Sequence, residues 1–166
     1  MKLFKLILLG LTVSFSVMSA TSQNALINVL TQNSGIVNKG KTVFLEVTVN
    51  NTDAYLFIGI YKIKVQISVP PAIASIATKD HILPTGWKII SNDGSVITLS
   101  NGKDIIAEND ARTLLIAING TKIGGPLTIL GQLSFSNGEE PGTAPGTLKG
   151  DNPADNSSTS TCKVIR

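Results

Sequence analysis

The residues from Tyr61 to Val69 alternate between apolar and polar side chains without interruption. The apolar set is Tyr61, Ile63, Val65, Ile67 and Val69, and the polar set is Lys62, Lys64, Gln66 and Ser68. A period of two over this length predicts a β-strand with one buried and one solvated face, because successive side chains of a strand point to opposite faces. Such a strand needs a second layer of structure to cover its apolar face.

A second alternating segment precedes this strand. Its apolar members are Val43, Leu45, Val47 and Val49, and Phe44 interrupts the pattern. Residues 50–53, Asn-Asn-Thr-Asp, favour a turn, because Asn and Asp side chains bond to nearby backbone amides. The sequence therefore predicts two antiparallel strands with one apolar face each, covered by a second sheet.

Six further segments are predicted to be strands from their apolar content and the turn residues between them. They cover residues 25–30, 87–90, 96–99, 112–118, 127–135 and 158–165. The second and third form a predicted hairpin, because Asp93-Gly94 lies between them. Gly131 shares an apolar face with its neighbours and predicts a bulge or a close contact. About seven to eight strands with almost no helical period predict an all-β antiparallel sandwich.

Three other segments have less regular patterns. Residues 54–60 are apolar on both parities, which fits either the start of a buried strand or a packed loop. Residues 72–77, after Pro70-Pro71, fit one helical turn or an extended crossover. Residues 136–157 are rich in Gly and Pro and predict a long surface loop.

The N-terminus has the composition of a secretory signal peptide. Lys2 and Lys5 precede an apolar run from Leu6 to Val17, and small residues follow. We expect residues 1–22 to be removed and residues 23–166 to form one domain. No later apolar run is long enough to span a bilayer, so we expect a mature chain without a membrane span, in the periplasm, at the cell surface or outside the cell.

Charge and cysteine content exclude several classes of function. Removing Lys2 and Lys5 from the 14 basic residues leaves a net charge of +1 against the 11 acidic residues. A nearly neutral chain without a basic run gives no electrostatic basis for binding nucleic acid. Cys162 is the single cysteine, so the domain has no internal disulfide. A buried thiol is one interpretation of Cys162, and pairing between molecules is the other.

Several short motifs resemble a bacterial surface-repeat domain of the immunoglobulin type, catalogued as domain of unknown function eleven. They are Val49-Asn50-Asn51-Thr52, the strand 63–69 that leads to Leu83-Pro84-Thr85-Gly86-Trp87, the strand 114–118, and the segment 150–161. The resemblance implies an immunoglobulin-like β-sandwich. Members of that family usually occur as tandem modules of exported proteins, and this chain has room for one. The resemblance implies no catalytic residues.

Residues that could carry catalysis are few. His81 is the only histidine, and its neighbour Asp80 would point to the opposite face of a strand, where it cannot complete a catalytic triad. The chain has no G-x-S-x-G motif, and one His and one Cys far apart do not form a zinc site. We therefore expect no enzyme activity and no cofactor.

Two groups of carboxylates are candidate calcium ligands. They are Asp104, Glu108 and Asp110 in one segment, and Asp151 and Asp155 in another. Hard oxygen ligands suit Ca²⁺, but neither group has the spacing of a known calcium loop. The alternative is that these side chains lie in solvated turns and bond to nearby amides.

Three aromatic residues are candidate contact residues. Tyr55 and Phe57 lie near a predicted turn and could form an exposed patch. Trp87, the single tryptophan, is either an exposed platform for a glycan or a core residue between the sheets.

From these observations we expect an exported, non-catalytic structural or adhesive module whose partners are other proteins or copies of itself. Ala25–Leu30 contains no charge or proline, so this strand is the candidate for strand addition between copies. The alternative function is a small carbohydrate- or protein-binding module, such as an inhibitor, that acts through its loops.

Overall fold

The computed structural model describes residues 24–53, 56–136, 145–146, 148 and 151–166, which form two packed β-sheets. The strands in these ranges are β1 (Ala25–Thr31), β2 (Ile36–Asn38), β3 (Thr42–Asn51), β4 (Ile63–Ser68), β5 (Ala74–Ile76), β6 (Lys88–Asn92), β7 (Val96–Ser100), β8 (Ala111–Gly120), β9 (Gly124–Ser136), β10 (Pro145–Gly146) and β11 (Ser157–Ile165). Two 3-10 turns, Asn33–Gly35 and Pro153–Asp155, complete the regular structure of these ranges. No helix within them is long and apolar enough to cross a bilayer.

Some sequence predictions lie outside the described residues. These are the signal peptide 1–22, Tyr55 and half of the predicted loop 136–157. Of that loop, the structure describes the backbone of β10, the buried residue Leu148 and the 3-10 turn before β11. The division of the chain into a signal peptide and one domain therefore stays a prediction.

The first sheet has the strand order β1-β3-β8-β5, and the second has the order β2-β11-β9-β4-β7-β6 with β10 paired to β9. All these pairings are antiparallel except that of β2 with β11. This confirms the predicted all-β sandwich. The sequence prediction omitted β2, β5 and β10, because strands of two or three residues are too short to show a period.

The predicted pairing of the two alternating strands is wrong. β3 pairs with β1 and β8, whereas β4 pairs with β7 and β9 in the other sheet. The chain therefore changes sheets between β3 and β4 instead of closing a hairpin. Both strands have one apolar face, and a sandwich buries two such faces when it places them in opposite sheets.

The core consists of the inward faces predicted from the alternation. Tyr61, Ile63, Val65, Ile67 and Val69 are all buried, as are Val43, Leu45, Val47 and Val49. Gly131 lies on the inward face of β9, where a Cβ would overlap the side chain of Val29. The predicted close contact at this glycine is confirmed.

Side chains of the second sheet cover the outer edge of β1. The backbone N–H of Val29 donates to Ser158 Oγ, and the N–H of Thr31 donates to Ser160 Oγ, both at 3.0 Å. At the start of the strand, the N–H of Ala25 donates to Asp151 Oδ1 at 3.2 Å. These bonds join the two sheets along one side of the sandwich and occupy amides that would otherwise lie at an open edge.

Candidate functional site

Two buried asparagines fix the loops at one end of the sandwich. Asn51, at the end of β3, is 1% exposed and donates from Nδ2 to the carbonyl oxygens of Leu56, Ile106 and Ala107, at 2.7, 3.2 and 3.0 Å. Its Oδ1 accepts the N–H of Asp53 at 3.1 Å. One side chain therefore ties the segment after β3 to the segment before β8.

Asn101, which follows β7, makes a similar connection. It is fully buried, and its Nδ2 donates to the carbonyl oxygens of Gly59 and Asp104, both at 2.8 Å. Its Oδ1 accepts the N–H of Ile63 at 3.0 Å. A buried amide with all its groups satisfied fixes the backbone around it, because each lost bond would leave a buried polar group unpaired.

Between these two clamps, the two loops pair directly. Ile58 and Ile106 form an antiparallel bridge with hydrogen bonds of 2.8 and 3.0 Å, and both side chains are fully buried. Adjacent side chains point the other way, so Phe57 and Ile105 are exposed, at 56% and 49%. Leu56 and Ile60 are also exposed, at 36% and 43%. We call these four side chains, Leu56, Phe57, Ile60 and Ile105, the loop patch.

An arginine supports the loop patch from the side of β8. Arg112 Nη2 donates to the carbonyl oxygen of Ile105 at 3.0 Å. Its Nε lies 2.8 Å from Asp104 Oδ2, and its Nη1 lies 2.6 Å from Asp110 Oδ2. Hydrogen bonds from the guanidinium lower the pKa of Asp110, and those to Asp104 and Asp110 raise the pKa of Arg112.

Four of the five calcium candidates are engaged in hydrogen bonds of the protein itself. Asp104 and Asp110 flank Arg112, and Glu108 is exposed. Asp151 accepts from the backbone of β1, and Asp155 Oδ2 accepts from Asn24 Nδ2 at 3.1 Å. Within the ranges that the structure describes, no group of three or more His, Cys, Asp or Glu residues is placed to hold a metal ion.

Trp87 and Cys162 both lie inside the sandwich. Trp87 is buried, and its Nε1 donates to Asp104 Oδ2 at 2.9 Å, so it has the geometry of the core alternative. Cys162 is a buried thiol on the inward face of β11. Burial raises its pKa, which keeps the thiol protonated and unreactive at neutral pH.

His81 takes the place of a backbone acceptor beside β8. Its Nδ1 accepts the N–H of Ala117 at 3.1 Å, next to a bridge between Ile82 and Leu115. Burial lowers the pKa of His81 from its ordinary value of 6.5. The neutral imidazole, which can accept at Nδ1, is therefore the form that fits this position.

Sequence reasoning identified Phe57 but not the rest of the site. The segment 54–60 is apolar on both parities, and the structure resolves this into a buried residue, Ile58, between exposed ones. The composition of residues 50–53 predicts only a turn at Asn51. An asparagine at the end of an apolar strand is a signal for such a clamp, although the same residue is equally common in an ordinary turn.

Comparisons with known proteins establish the class of fold. No protein-family model matches the chain, and no curated protein does either. A cohesin module from a Clostridium perfringens family 33 glycoside hydrolase is similar, with a TM-score of 0.54 and 12% identity over 87% of this chain and 97% of the module. The likeness establishes the fold. At this identity it carries no information on activity.

Two other solved structures are less similar. An uncharacterised Nocardia farcinica protein with an immunoglobulin-like fold has a TM-score of 0.45 and 14% identity, over 82% of this chain and 98% of that one. The CARDB domain of a Pyrococcus furiosus protein, in complex with di-metal ions, has a TM-score of 0.47 and 14% identity, over 87% and 90%. These two likenesses carry no further argument, and the strand topology itself shows an all-β sandwich of two sheets.

Proposed function

We propose that the chain is an exported, non-catalytic binding module that contacts a protein partner through the loop patch. The observation that carries this proposal is the combination of exposed apolar side chains with a fixed backbone. Asn51, Asn101 and Arg112 hold the loops through hydrogen bonds within the domain. A surface that is already ordered loses little conformational entropy on binding, so its apolar contacts contribute more of their free energy to affinity.

The position of His81, the one residue considered for catalysis, supports a non-catalytic role. His81 Nδ1 accepts the backbone N–H of Ala117, and its Nε2 is buried. A general base needs an accessible lone pair within reach of a substrate, and His81 does not offer one. A structural or adhesive role at the cell surface, in the periplasm or in the matrix is consistent with this arrangement.

Export and membership of the surface-repeat family rest on the sequence. The signal peptide 1–22 carries the first, and the turn motifs around Val49–Thr52 and Leu83–Trp87 support the second. N-terminal sequencing of the protein recovered outside the cytoplasm tests export. We expect a mature chain that starts near Gln23. An intact Met1 on the recovered protein would contradict the removal of a signal peptide.

A protein partner suits the loop patch better than a glycan. Polar groups placed to pair with hydroxyls usually fix the orientation of a small polar ligand. The amides of Asn51 and Asn101 donate instead to backbone carbonyls, and Trp87 is buried and donates to Asp104. The four apolar side chains of the patch resemble the apolar centre of a protein–protein interface.

Self-assembly by exchange of β1 is the second candidate and stays a prediction. To leave its own domain, β1 must lose its pairing with β3 and its bonds to Ser158, Ser160 and Asp151. These contacts favour the alternative in which the strand completes its own sheet. Exchange would require a partner strand that replaces all of them.

Site-specific crosslinking tests the loop patch in the producing cells. A photoreactive benzophenone amino acid is placed at position 57 and, as a matched control, at position 132, where Gln132 is exposed on β9. We expect a single protein adduct from position 57 and none from position 132. Equal adducts from both positions, or none from position 57, would overturn the assignment of this patch.

A further inference from the structure

A row of side chains crosses the outer face of the first sheet. The register places Leu30 opposite Glu46, Glu46 opposite Leu115, and Leu115 opposite Ile82 in the isolated bridge beyond β5. Leu30 and Ile82, at the two ends of the row, are 57% and 56% exposed. Directly opposite side chains in a sheet are close enough to touch, so the row is continuous across the face.

The row on one side of this one is apolar, and the row on the other side is neutral and polar. On one side, Phe44 is opposite Ala117, and Phe44 is half-buried. On the other side, the row is Asn28, Thr48 and Thr113. We call Leu30, Phe44, Leu115 and Ile82 the sheet stripe.

The end of the stripe at Ile82 is fixed although it lies outside a regular strand. Ile82 and Leu115 exchange two backbone hydrogen bonds of 2.9 Å, and His81 accepts the N–H of Ala117 beside them. The other end of the stripe, Leu30, is ordered as well, because β1 pairs with β3 along its whole length.

Glu46 lies in the middle of the stripe, and it is the one charged residue in these three rows. Within the described ranges no ion pair involves it. If two copies packed this face together about a two-fold axis through the middle of the stripe, each Glu46 would approach its symmetry mate, and like charges that face each other across an interface are unfavourable. The charge therefore selects a different protein over a second copy.

We propose that the outer face of the first sheet is a second docking surface, for a protein partner that presents apolar side chains around one lysine or arginine. This inference extends the proposed binding role but does not depend on the loop patch, which lies on loops at the end of the sandwich. The basic residue of the partner pairs with Glu46, and its apolar neighbours cover Leu30 and Ile82.

The test begins with crosslinking from the stripe. The benzophenone amino acid is placed at position 30, with position 128, an exposed threonine on β9, as the control. We expect an adduct with another protein from position 30 whose crosslinked peptide contains a lysine or arginine. An adduct between two copies of this chain, or equal adducts from both positions, would overturn the proposal.

Charge exchange with the purified crosslinked protein is the decisive step. Glu46→Lys should weaken binding at least ten-fold, and replacing the basic residue of the partner by glutamate should restore it. Thr48→Ser, one row away, should leave the affinity unchanged. If Glu46→Lys binds as tightly as the natural chain, the proposal is wrong.

Two further variants separate this proposal from the loop patch. For a partner that docks only on the stripe, Leu30→Ser should weaken binding and Phe57→Ser should leave the affinity unchanged. A partner that loses affinity with Phe57→Ser but not with Leu30→Ser or Glu46→Lys supports the loop patch and overturns the stripe. Leu30 and Phe57 are each more than half exposed, so thermal melting should show that both serine variants are folded.

Discussion

At the scale of single residues, the buried amide of Asn101 is one of the groups that order the loop patch. Replacing it in Asn101→Ala removes the acceptor for Ile63 N–H and the donor to the carbonyls of Gly59 and Asp104. Buried polar groups without partners cost about 1–3 kcal/mol each. We therefore expect the free energy of unfolding to fall by about 3 kcal/mol or more, measured by urea denaturation.

The matched control for this variant is Gln132→Ala, because Gln132 is an exposed amide on β9. Its free energy of unfolding should change by less than about 0.5 kcal/mol. A loss of stability in Asn101→Ala no larger than that of the control would contradict the clamp.

His81 gives the domain a defined response to acid. Burial lowers its pKa below 6.5, and this outweighs the opposite effects of the Ala77 carbonyl and of Asp80. Between the lowered pKa and 6.5 the unfolded chain binds more protons than the folded one, so stability falls as the pH falls through this window. Protonation also turns Nδ1 into a donor that faces the N–H of Ala117.

The measurement is the free energy of unfolding as a function of pH, from about pH 7.5 to 5.5. His81→Asn is the control, since an amide oxygen can accept the same N–H but does not titrate. We expect the natural chain to lose stability over this range and the variant to lose less. Asp93 and Asp110, whose pKa values are lowered by hydrogen bonds from backbone amides and from Arg112 respectively, contribute only at more acidic pH. Parallel curves for the two proteins would contradict this role of His81.

At the scale of strands, the packing at Gly131 is the sharpest constraint. A Cβ there would overlap Val29 and approach Ile27 and Ile67, whereas a Cβ on Gly59 would meet nothing within 4 Å. Overpacking a core commonly costs about 1–3 kcal/mol, so Gly131→Ala should be destabilised by this amount. Gly59→Ala should change stability by less than about 1 kcal/mol. Equal melting temperatures for the two variants would contradict the packing of β1 on β9.

The edge of β1 leads to a prediction about association. Replacing the two hydroxyls in Ser158→Ala/Ser160→Ala should cost about 1 kcal/mol for each lost hydrogen bond, and it should uncover the amides of Val29 and Thr31. We expect light scattering to show more association than for the natural chain. Thr159→Ala/Thr161→Ala, on the exposed face of the same strand, should behave like the natural chain. If both double variants stay equally monomeric, the hydroxyls do not protect this edge.

How far the sequence predicts these elements depends on the length and locality of each pattern. The long alternations predict which faces of β3 and β4 are buried. Asp93-Gly94 predicts the β6–β7 hairpin, because a two-residue turn is a local signal. Alternation shows which face is buried but not which strand lies alongside, and this is why β3 and β4 were wrongly paired. Of the loop patch, only Phe57 could be predicted from the sequence, because the clamps join residues as much as 56 positions apart.

At the scale of the whole molecule, the two sheets form a rigid support with two apolar surfaces of different character. The loop patch has no charged member, whereas the sheet stripe surrounds Glu46. A partner of the loop patch would therefore be recognised through apolar contacts, and a partner of the stripe would need a lysine or arginine side chain. The fold alone specifies neither surface, because the same sandwich supports many unrelated functions.

The affinity of the loop patch for its crosslinked partner tests directly whether this protein binds through the loop patch. Isothermal titration compares the natural chain with Phe57→Ser/Ile105→Ser, both side chains being about half exposed and thus tolerant of change. We expect the double variant to keep its melting temperature and to bind at least about ten-fold more weakly, since truncated interface anchors commonly cost more than 1 kcal/mol. An affinity equal to that of the natural chain, in a variant that is equally stable, would contradict the claim that this protein binds through these loops.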